Sequence, residues 1–468
     1  MKILLLSPPV EEILVYKPKA STVPLGLGYL GSVLRGSGFN VKISDMYNFS
    51  WKEVELKIKQ ENPDVVGISC CTAARLQAVK LAHIAKKCNS NIRIIMGGPH
   101  PTFFPEHMFK LSPTDVVVMG EGERTIVELM DAMEKNEDIS KIDGIAFRKN
   151  ATIIRTNPRP LIENLDSIPF PIYDFFDLKK YQFGDILKEY RKLISTYIIT
   201  SRGCPFGCQF CSTSRYWGRR WRTRSVKNVI DELRFLYDKL NVRFIYFVDD
   251  ILTLDSKRTI DLCKSIIDEK VDLVWMTETR VDCVNREMLQ WMKKAGCYKI
   301  MYGIESGSPE ILKTINKGFS VNQIKEAFKL THEAGIQPKP LLMVGNPGEN
   351  NNTIDQTISL LKEIKPVGFP HDIALTWVFP NTPLYEMAKS KGLISDEYWL
   401  TNKPTPYYTG DHSKDELMML ALRLIKGVLP KSEFTKYIIT WGAKSLIENP
   451  KLPFRFVFNY LKRKMNNL

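Results

Sequence analysis

Short apolar runs alternate with helix-length amphipathic stretches twice along this chain, and no other feature constrains its fold as strongly. Strands buried on both faces of a parallel sheet read as such continuous apolar runs, joined by crossover helices. In residues 1–130 the strand candidates are Lys2–Leu6, Asn40–Ser44, Val65–Ser69, Ile92–Met96 and Asp115–Met119. The helix candidates between and after them are Leu25–Gly36, Trp51–Gln60, Ala73–Lys87 and Arg124–Lys135. This order predicts a doubly wound α/β domain, Rossmann-like or flavodoxin-like, with ligands at the carboxyl ends of the strands. The second alternation has strand candidates Ser195–Thr200, Phe244–Val248, Leu273–Met276, Lys299–Ile304, Pro340–Val344 and Ile373–Val378, again separated by helical segments. Six repeats predict a partial (β/α)6 barrel of TIM type, because a closed barrel takes eight.

Ile142–Arg148 and Thr152–Pro158 read as a hairpin between the two regions, followed by the proline-rich PRPLIENLDSIPFPIYDF. Repeated proline disfavours continuous helix or sheet, so this stretch reads as an ordered linker. The last 70 or so residues show apolar periodicity without clear strands. The expected division is 1–140, a linker over 141–190, a barrel over 191–400 and a helical domain over 401–468. Hydrophobic residues at 44% and charged residues at 25% exclude a disordered or fibrous chain. No run approaches the ~18 apolar residues that span a bilayer. The opening MKILLLSPPVEE is too short for a secretory signal and reads as a buried strand, which points to the cytoplasm.

The strongest chemical signal follows the first strand of the second region, in ITSRGCPFGCQFCSTS. Cys204, Cys208 and Cys211 stand in C-x3-C-x2-C spacing, with Phe210 before the last cysteine. Three thiolates on one tight loop suit three irons of a [4Fe–4S] cluster, leaving the fourth iron open to a small ligand. A zinc knuckle is the alternative, but zinc sites usually take four protein ligands and no paired C-x2-C or H-x3-H follows. Cys88, Cys263, Cys283 and Cys297 show no spacing for a second cluster, and the adjacent Cys70 and Cys71 read as small buried side chains.

In these residues the sequence resembles the radical S-adenosylmethionine (SAM) superfamily over about residues 190–400. FVDDILT (247–253) falls where the family's second strand contacts the methionine amino group, with Asp249 and Asp250 replacing the commoner Gly-Gly-Glu. GIESG (303–307) matches the fourth-strand motif, which implies that Glu305 reaches the SAM ribose. VGNPGEN (344–350) resembles the turn beside the adenine, with Gly345 and Pro347, and FPNTPLYE (379–386) resembles the sixth-strand turn. Such enzymes cleave SAM reductively to a 5′-deoxyadenosyl radical that abstracts hydrogen from an unactivated carbon. A Rossmann-like domain directly before the barrel is similar to the cobalamin-binding domain of class B members. Ser69, Gly97 and Gly98, at the ends of the third and fourth strands, then line the channel for the nucleotide tail. VPLGLGYL (23–30) and MGEGE (119–123) also resemble this subgroup. The Asp-x-His-x-x-Gly motif that supplies an axial histidine elsewhere is missing, with SPPVEE in its place. His100 stands on the fourth loop, either near the corrin or as a capping residue.

The resemblance implies a cobalamin-dependent radical SAM enzyme that C-methylates an unactivated carbon. Oxidative cyclisation of a tetrapyrrole or lipid-like substrate, as in the anaerobic magnesium-protoporphyrin monomethyl ester cyclases, is the second expectation; a corrinoid or redox sensor is the third. It also implies a flavodoxin- or ferredoxin-type electron donor. RYWGRRWRTR (215–224) offers five arginines and three aromatics for that donor, for an anionic substrate, or for packing over the barrel end. No RNA-binding module accompanies it, so nucleic acid is not an expected partner. The terminus KLPFRFVFNYLKRKMNNL mixes Phe454, Phe456, Phe458 and Tyr460 with Lys462, Arg463 and Lys464, a pattern for peripheral membrane contact or a solvated basic tip.

Overall fold

The structure is a computed structural model describing residues 1–9, 22–150, 152–181, 189–367 and 373–438. The aromatic and basic terminus therefore lies outside the described residues. The first region forms strands β1 (Lys2–Ser7), β2 (Asn40–Asp45), β3 (Val65–Ser69), β4 (Arg93–Gly97), β5 (Val116–Val118), β6 (Ile145–Lys149) and β7 (Thr152–Arg155). They make one sheet in the order β2-β1-β3-β4-β5-β6-β7. β1 to β5 are parallel, in the flavodoxin-like order, and β1 and β3 form the switch point where ligands bind in such sheets. β6 and β7 add antiparallel. The hairpin expected at the start of the linker is thus the edge of this sheet, and the expected boundary at 140 falls inside it. The short helices Pro99–Phe103 and Pro105–Leu111 escape the periodicity because each is about two turns or fewer.

The second region opens with β8 (Ile194–Ile198), then β9 (Ser201–Arg202) and β10 (Arg222–Thr223), a two-residue antiparallel pair. It continues with β11 (Val242–Phe247), β12 (Val274–Thr279), β13 (Cys297–Glu305), β14 (Gln337–Val344) and β15 (Ile373–Leu375). The order β15-β14-β13-β12-β11-β8 is parallel throughout, a six-stranded open barrel. The helix Lys414–Val428 packs its buried Leu420 and Leu424 into the same core as the barrel, so it is a further layer on that barrel.

The proline-rich stretch is a packed strap. Ile162, Leu165, Ile168, Ile172, Tyr173 and Phe176 are buried in the main core. It lies against the helix Leu25–Gly36, where Gly28 and Gly31 make room: a Cβ on Gly28 would stand 2.9 Å from the Pro171 Cβ, and one on Gly31 3.0 Å from the Ile172 Cγ2. On the other side of the first sheet, segment 396–408 closes over the loops after β3 and β4. Arg75 is 1% exposed, hydrogen-bonds the Thr401 and Lys403 carbonyls and stacks over Trp399 at 5.1 Å. His100 is fully buried there, 3.3 Å from the Thr72 hydroxyl and 5.6 Å from the Trp399 ring. Among the described residues no helix is long and apolar enough to cross a membrane.

Two stability measurements check this packing. Gly28→Ala forces a Cβ against a rigid proline ring; overpacking of ~1–3 kcal/mol outweighs the ~1 kcal/mol helix gain, so the urea midpoint falls. Gly36→Ala, whose Cβ would meet nothing within 4 Å beyond its own helix backbone and chain neighbours, raises the unfolding free energy by up to ~1 kcal/mol and the midpoint with it. Burial, helped by the positive Arg75, lowers the His100 pKa to about 3. A folded pKa below the unfolded one means that the unfolded chain binds more protons, so stability is lost as pH falls from about 6.5 toward 3. The thermal midpoint of His100→Gln should therefore drop less between pH 7 and pH 5 than that of the wild type.

Candidate functional site

The cysteine loop is built from its two ends. β9 and β10 pair Arg202 with Arg222 and Ser201 with Thr223, so residues 203–221 are closed at the base by an antiparallel clasp. Gly203 has φ +95°, and a Cβ there would lie 1.8 Å from the Arg220 carbonyl oxygen, which only glycine permits. Its N–H donates to Asp250 Oδ2 at 3.0 Å. Cys204, Cys208 and Cys211 are all partly exposed on this loop. Burial pushes the Cys204 thiol up to about 11, with neighbouring Cys211 and Cys208 adding to the shift, and burial raises Cys211 as well. A bound cation reverses that sign, because thiolates are stabilised by the metal they ligate. Among the described residues no three His, Cys, Asp or Glu side chains converge tightly enough for a single metal ion. Three thiols without a fourth ligand are instead the donor set for a cluster with one open iron.

The other candidates of the second region sit at carboxyl ends of the barrel strands β11, β13 and β14, the catalytic rim of such barrels. Directly after β11 the two aspartates separate. Asp249 is 3% exposed and accepts from the Thr200 N–H at 3.1 Å, the Thr200 hydroxyl at 2.8 Å and the Ser201 hydroxyl at 2.5 Å. Its carboxylate is taken up in fixing the exit of β8, and it does not line the neighbouring cavity. Asp250 does, and burial pushes it up to about 6 despite the Gly203 N–H. Glu305 ends β13 at φ +63°, an uncommon conformation for a side chain of this size, and it pairs with buried Lys317 at 3.2 Å. Lys317 stands 5.7 Å over the Phe210 ring, which joins the Glu305 end of the rim to the cysteine loop. Gly345, at φ +94°, packs so tightly that a Cβ would meet Leu417 Cδ2 at 2.7 Å. Pro347 belongs to the same turn, whose N–H groups at Gly345 and Asn346 are accepted by Glu349. Burial pushes Glu349 up to about 7.

Between the two sheets lies a cavity of about 370 Å³. One end is walled by Leu5, Gly67, Ser69, Gly97 and Gly98, at the switch point of the first sheet; the other is walled by Val248 and Asp250. Gly98, at φ +109°, would put a Cβ 2.7 Å from the Cys70 carbonyl oxygen, and one on Gly67 would stand 2.6 Å from Leu5 Cδ2. Gly120 and Gly122 add to the same lining, so glycines and apolar side chains wall the first-sheet end, while Glu121, Glu123, Arg202 and Asp250 bring charge to the rest. That cradle fits the close backbone approach of a corrinoid tail. His100 is buried behind this wall and does not line the cavity.

Sequence reasoning missed the charges around this space. Arg202, 9% exposed in its side chain, donates to Glu121 at 2.7 Å and to Glu123 at 2.5 Å, and Arg222 pairs with Glu121 at 2.9 Å. Burial opposes ionisation of Glu121, yet Arg222 and Arg202 hold its carboxyl below the usual range. Arg224 pairs with fully buried Glu232. Of the five arginines of the run, Arg222 and Arg224 are therefore buried, Arg222 against the first region, and Arg215, Arg219 and Arg220 are exposed. Arg280, at the end of β12, was also missed: Nη1 lies 3.8 Å from Cys208 Sγ, Asp282 holds the guanidinium at 2.8 and 2.9 Å, and the Phe206 ring lies 3.6 Å away. Its signal is a charged residue at a barrel strand's carboxyl end.

The B12 binding domain family model matches residues 11–130, and the Radical SAM superfamily model matches residues 198–361. An uncharacterized methyltransferase of Pyrococcus horikoshii, PH0819, is 37% identical over 402 residues, covering 85% of each chain. The anaerobic magnesium-protoporphyrin IX monomethyl ester cyclase of Rubrivivax gelatinosus is 30% identical over 73% of this chain and 62% of its own. The solved structure of the cobalamin-dependent SAM radical enzyme OxsB, with aqua-cobalamin and SAM bound, superposes with a TM-score of 0.73 over 100% of this chain and 75% of its own, at 18% identity. The cofactors that go with the two matched domains are a [4Fe–4S] cluster with SAM, and cobalamin. From the two domain matches and the PH0819 alignment, the chain belongs to the radical SAM enzymes that carry a cobalamin-binding domain.

Proposed function

We propose that this enzyme transfers a methyl group to an unactivated carbon of a small organic substrate. The observation that carries the reading is the single cavity that runs from the glycine-lined switch point of the first sheet to Asp250 beside the cysteine loop. Two cofactor sites opening on one space allow a substrate carbon to meet both. When bound, the cofactors supply hydrogen abstraction from an unactivated C–H bond and donation of a methyl group.

The chain's own residues position and shield. Cys204, Cys208 and Cys211 hold three irons, and Arg280 places a fixed positive charge beside the Cys208 sulfur. Asp250 anchors Gly203 and faces the cavity, where it meets the methionine end of SAM. Glu305, held by Lys317, receives the ribose hydroxyls, and the Gly345–Pro347 turn with Phe210 borders the adenine side. Ser69, Gly97 and Gly98 admit the nucleotide tail of cobalamin, while Tyr29 and Trp217 line the wall and exclude water. The matching division is a cobalamin unit that includes the β6–β7 hairpin, the proline strap, a barrel from β8 to about residue 400, and a helical end. The cyclase relative favours a second reading, oxidative ring closure.

Anaerobic reconstitution with iron, sulfide and hydroxocobalamin, then desalting and visible spectroscopy, tests the reading. Retained corrin, one cluster, and 5′-deoxyadenosine after addition of SAM and dithionite are expected; a chain that binds no cluster overturns it. With methyl-labelled SAM, label reaching cobalamin and the product supports methyl transfer, and label found in methionine alone supports ring closure. The two acidic residues separate by readout. Glu305→Gln keeps the cluster and raises the KM for SAM about tenfold or more, as expected for a lost hydrogen bond to a charged group. Asp249→Asn turns an acceptor of several hydrogen bonds into a partial donor, so it lowers the unfolding free energy by ~1–3 kcal/mol with little change in that KM.

A further inference from the structure

We propose that the outer face of the cysteine loop is a docking surface for an acidic electron-transfer protein. The inference rests on the proposed cluster at Cys204, Cys208 and Cys211. Each SAM cleavage consumes one electron, so a partner must give up one electron to the cluster, with no proton or group transferred. Electron transfer slows steeply with distance, so the partner must reach the point where the loop meets solvent.

That point is the stretch between the first two cysteines. Pro205 is exposed, and Phe206 and Gly207 are partly so. The Arg219 guanidinium rests on Gly207, where a Cβ would meet its Nη2 at 2.7 Å. Arg219 is held in this position by a left-handed backbone, φ +55°. From the other side the Asn316 side chain donates to the Gly207 carbonyl at 2.9 Å. Lys313, whose carbonyl accepts the Asn316 N–H at 3.0 Å, stands beside it. Lys313 and Asn316 in turn line an open groove of about 660 Å³ with Pro309, Phe319 and Asn322.

The charges at this face differ from those elsewhere in the arginine run. Arg222 and Arg224 are buried against Glu121 and Glu232, and Arg220 pairs with Glu163 at 2.8 Å. Arg219 and Lys313 are exposed and make no ion pair among the described residues, and the same is true of Arg215, one turn after Cys211. Unpaired cations on a chain of net charge +14 attract and orient an acidic partner. A bare cation cluster would serve an RNA equally well, but this one is placed on the cluster loop, where an electron has to enter.

The test uses the full reconstituted chain and a reduced flavodoxin as the probe. Flavodoxin-driven formation of 5′-deoxyadenosine should fall at least tenfold between about 50 and 400 mM salt, whereas the dithionite-driven rate should change less than twofold. Arg219→Glu combined with Lys313→Glu should lower the flavodoxin-driven rate and flavodoxin binding at least tenfold while leaving the dithionite-driven rate and cluster absorbance unchanged. Because Arg219 touches the loop, Lys313→Glu alone serves as the second variant and should show a smaller loss of the same kind. Unchanged flavodoxin binding and flavodoxin-driven rate in both variants overturns the docking surface. If the wild type forms no cluster, the functional reading fails instead, and flavodoxin binding to the two variants still decides the surface.

Discussion

A buried set of four charges holds the two halves of this molecule in register. Glu121 and Glu123 come from the end of the first sheet; Arg202 and Arg222 come from the two strands that close the cysteine loop. Glu121 also accepts the Ile162 N–H of the strap at 2.6 Å, and Trp217 packs within 5.7 Å of both guanidiniums. Taking these ions out of water costs several kcal/mol each, and the cost is offset only while every partner is present. The arrangement therefore works as a registration device. It lets the loop that carries the cysteines, the wall of the cavity and the proline strap occupy only one mutual position.

The elements that were readable in the sequence are those whose cause is local. Val65–Ser69 was placed to the residue, as was the helix Leu25–Gly36, because an apolar run or a 3.6-residue period is written in adjacent positions. The spacing of Cys204, Cys208 and Cys211 is likewise written in adjacent positions of one loop. What escaped depends on partners far along the chain. Arg202 and Arg222 meet carboxylates 81 and 101 residues away, so a run that reads as one basic patch divides into a buried end, Arg222 and Arg224, and an exposed one. Asp249 and Asp250 are neighbours in sequence and point to different tasks, and only the position of Thr200 and Ser201 decides which is which. The β6–β7 hairpin was seen as a hairpin, but nothing local says that its first strand pairs with β5.

The turn at Gly345 shows how the rim and the end of the described chain support each other. Glu349 accepts the N–H groups of Gly345 and Asn346, and the His412 ring reaches the Glu349 carbonyl at 2.6 Å. Leu417 then fills the space that a side chain at position 345 would need. The helix that follows is thus the outer support of a turn bordering the site, and its sequence cannot drift independently of the motif beneath it.

The strap has a consequence for the order in which the protein can be made. The helix Leu25–Gly36 is synthesised early, but the groove over Gly28 and Gly31 is filled by Pro171 and Ile172, which leave the ribosome well over a hundred residues later. Until then β5 also lacks its antiparallel neighbour β6 and presents an open edge, a template for unwanted pairing. A nascent or truncated chain ending near residue 140 is accordingly a half-covered sheet, and the amino-terminal unit becomes a closed body only when the proline-rich segment lies down across it.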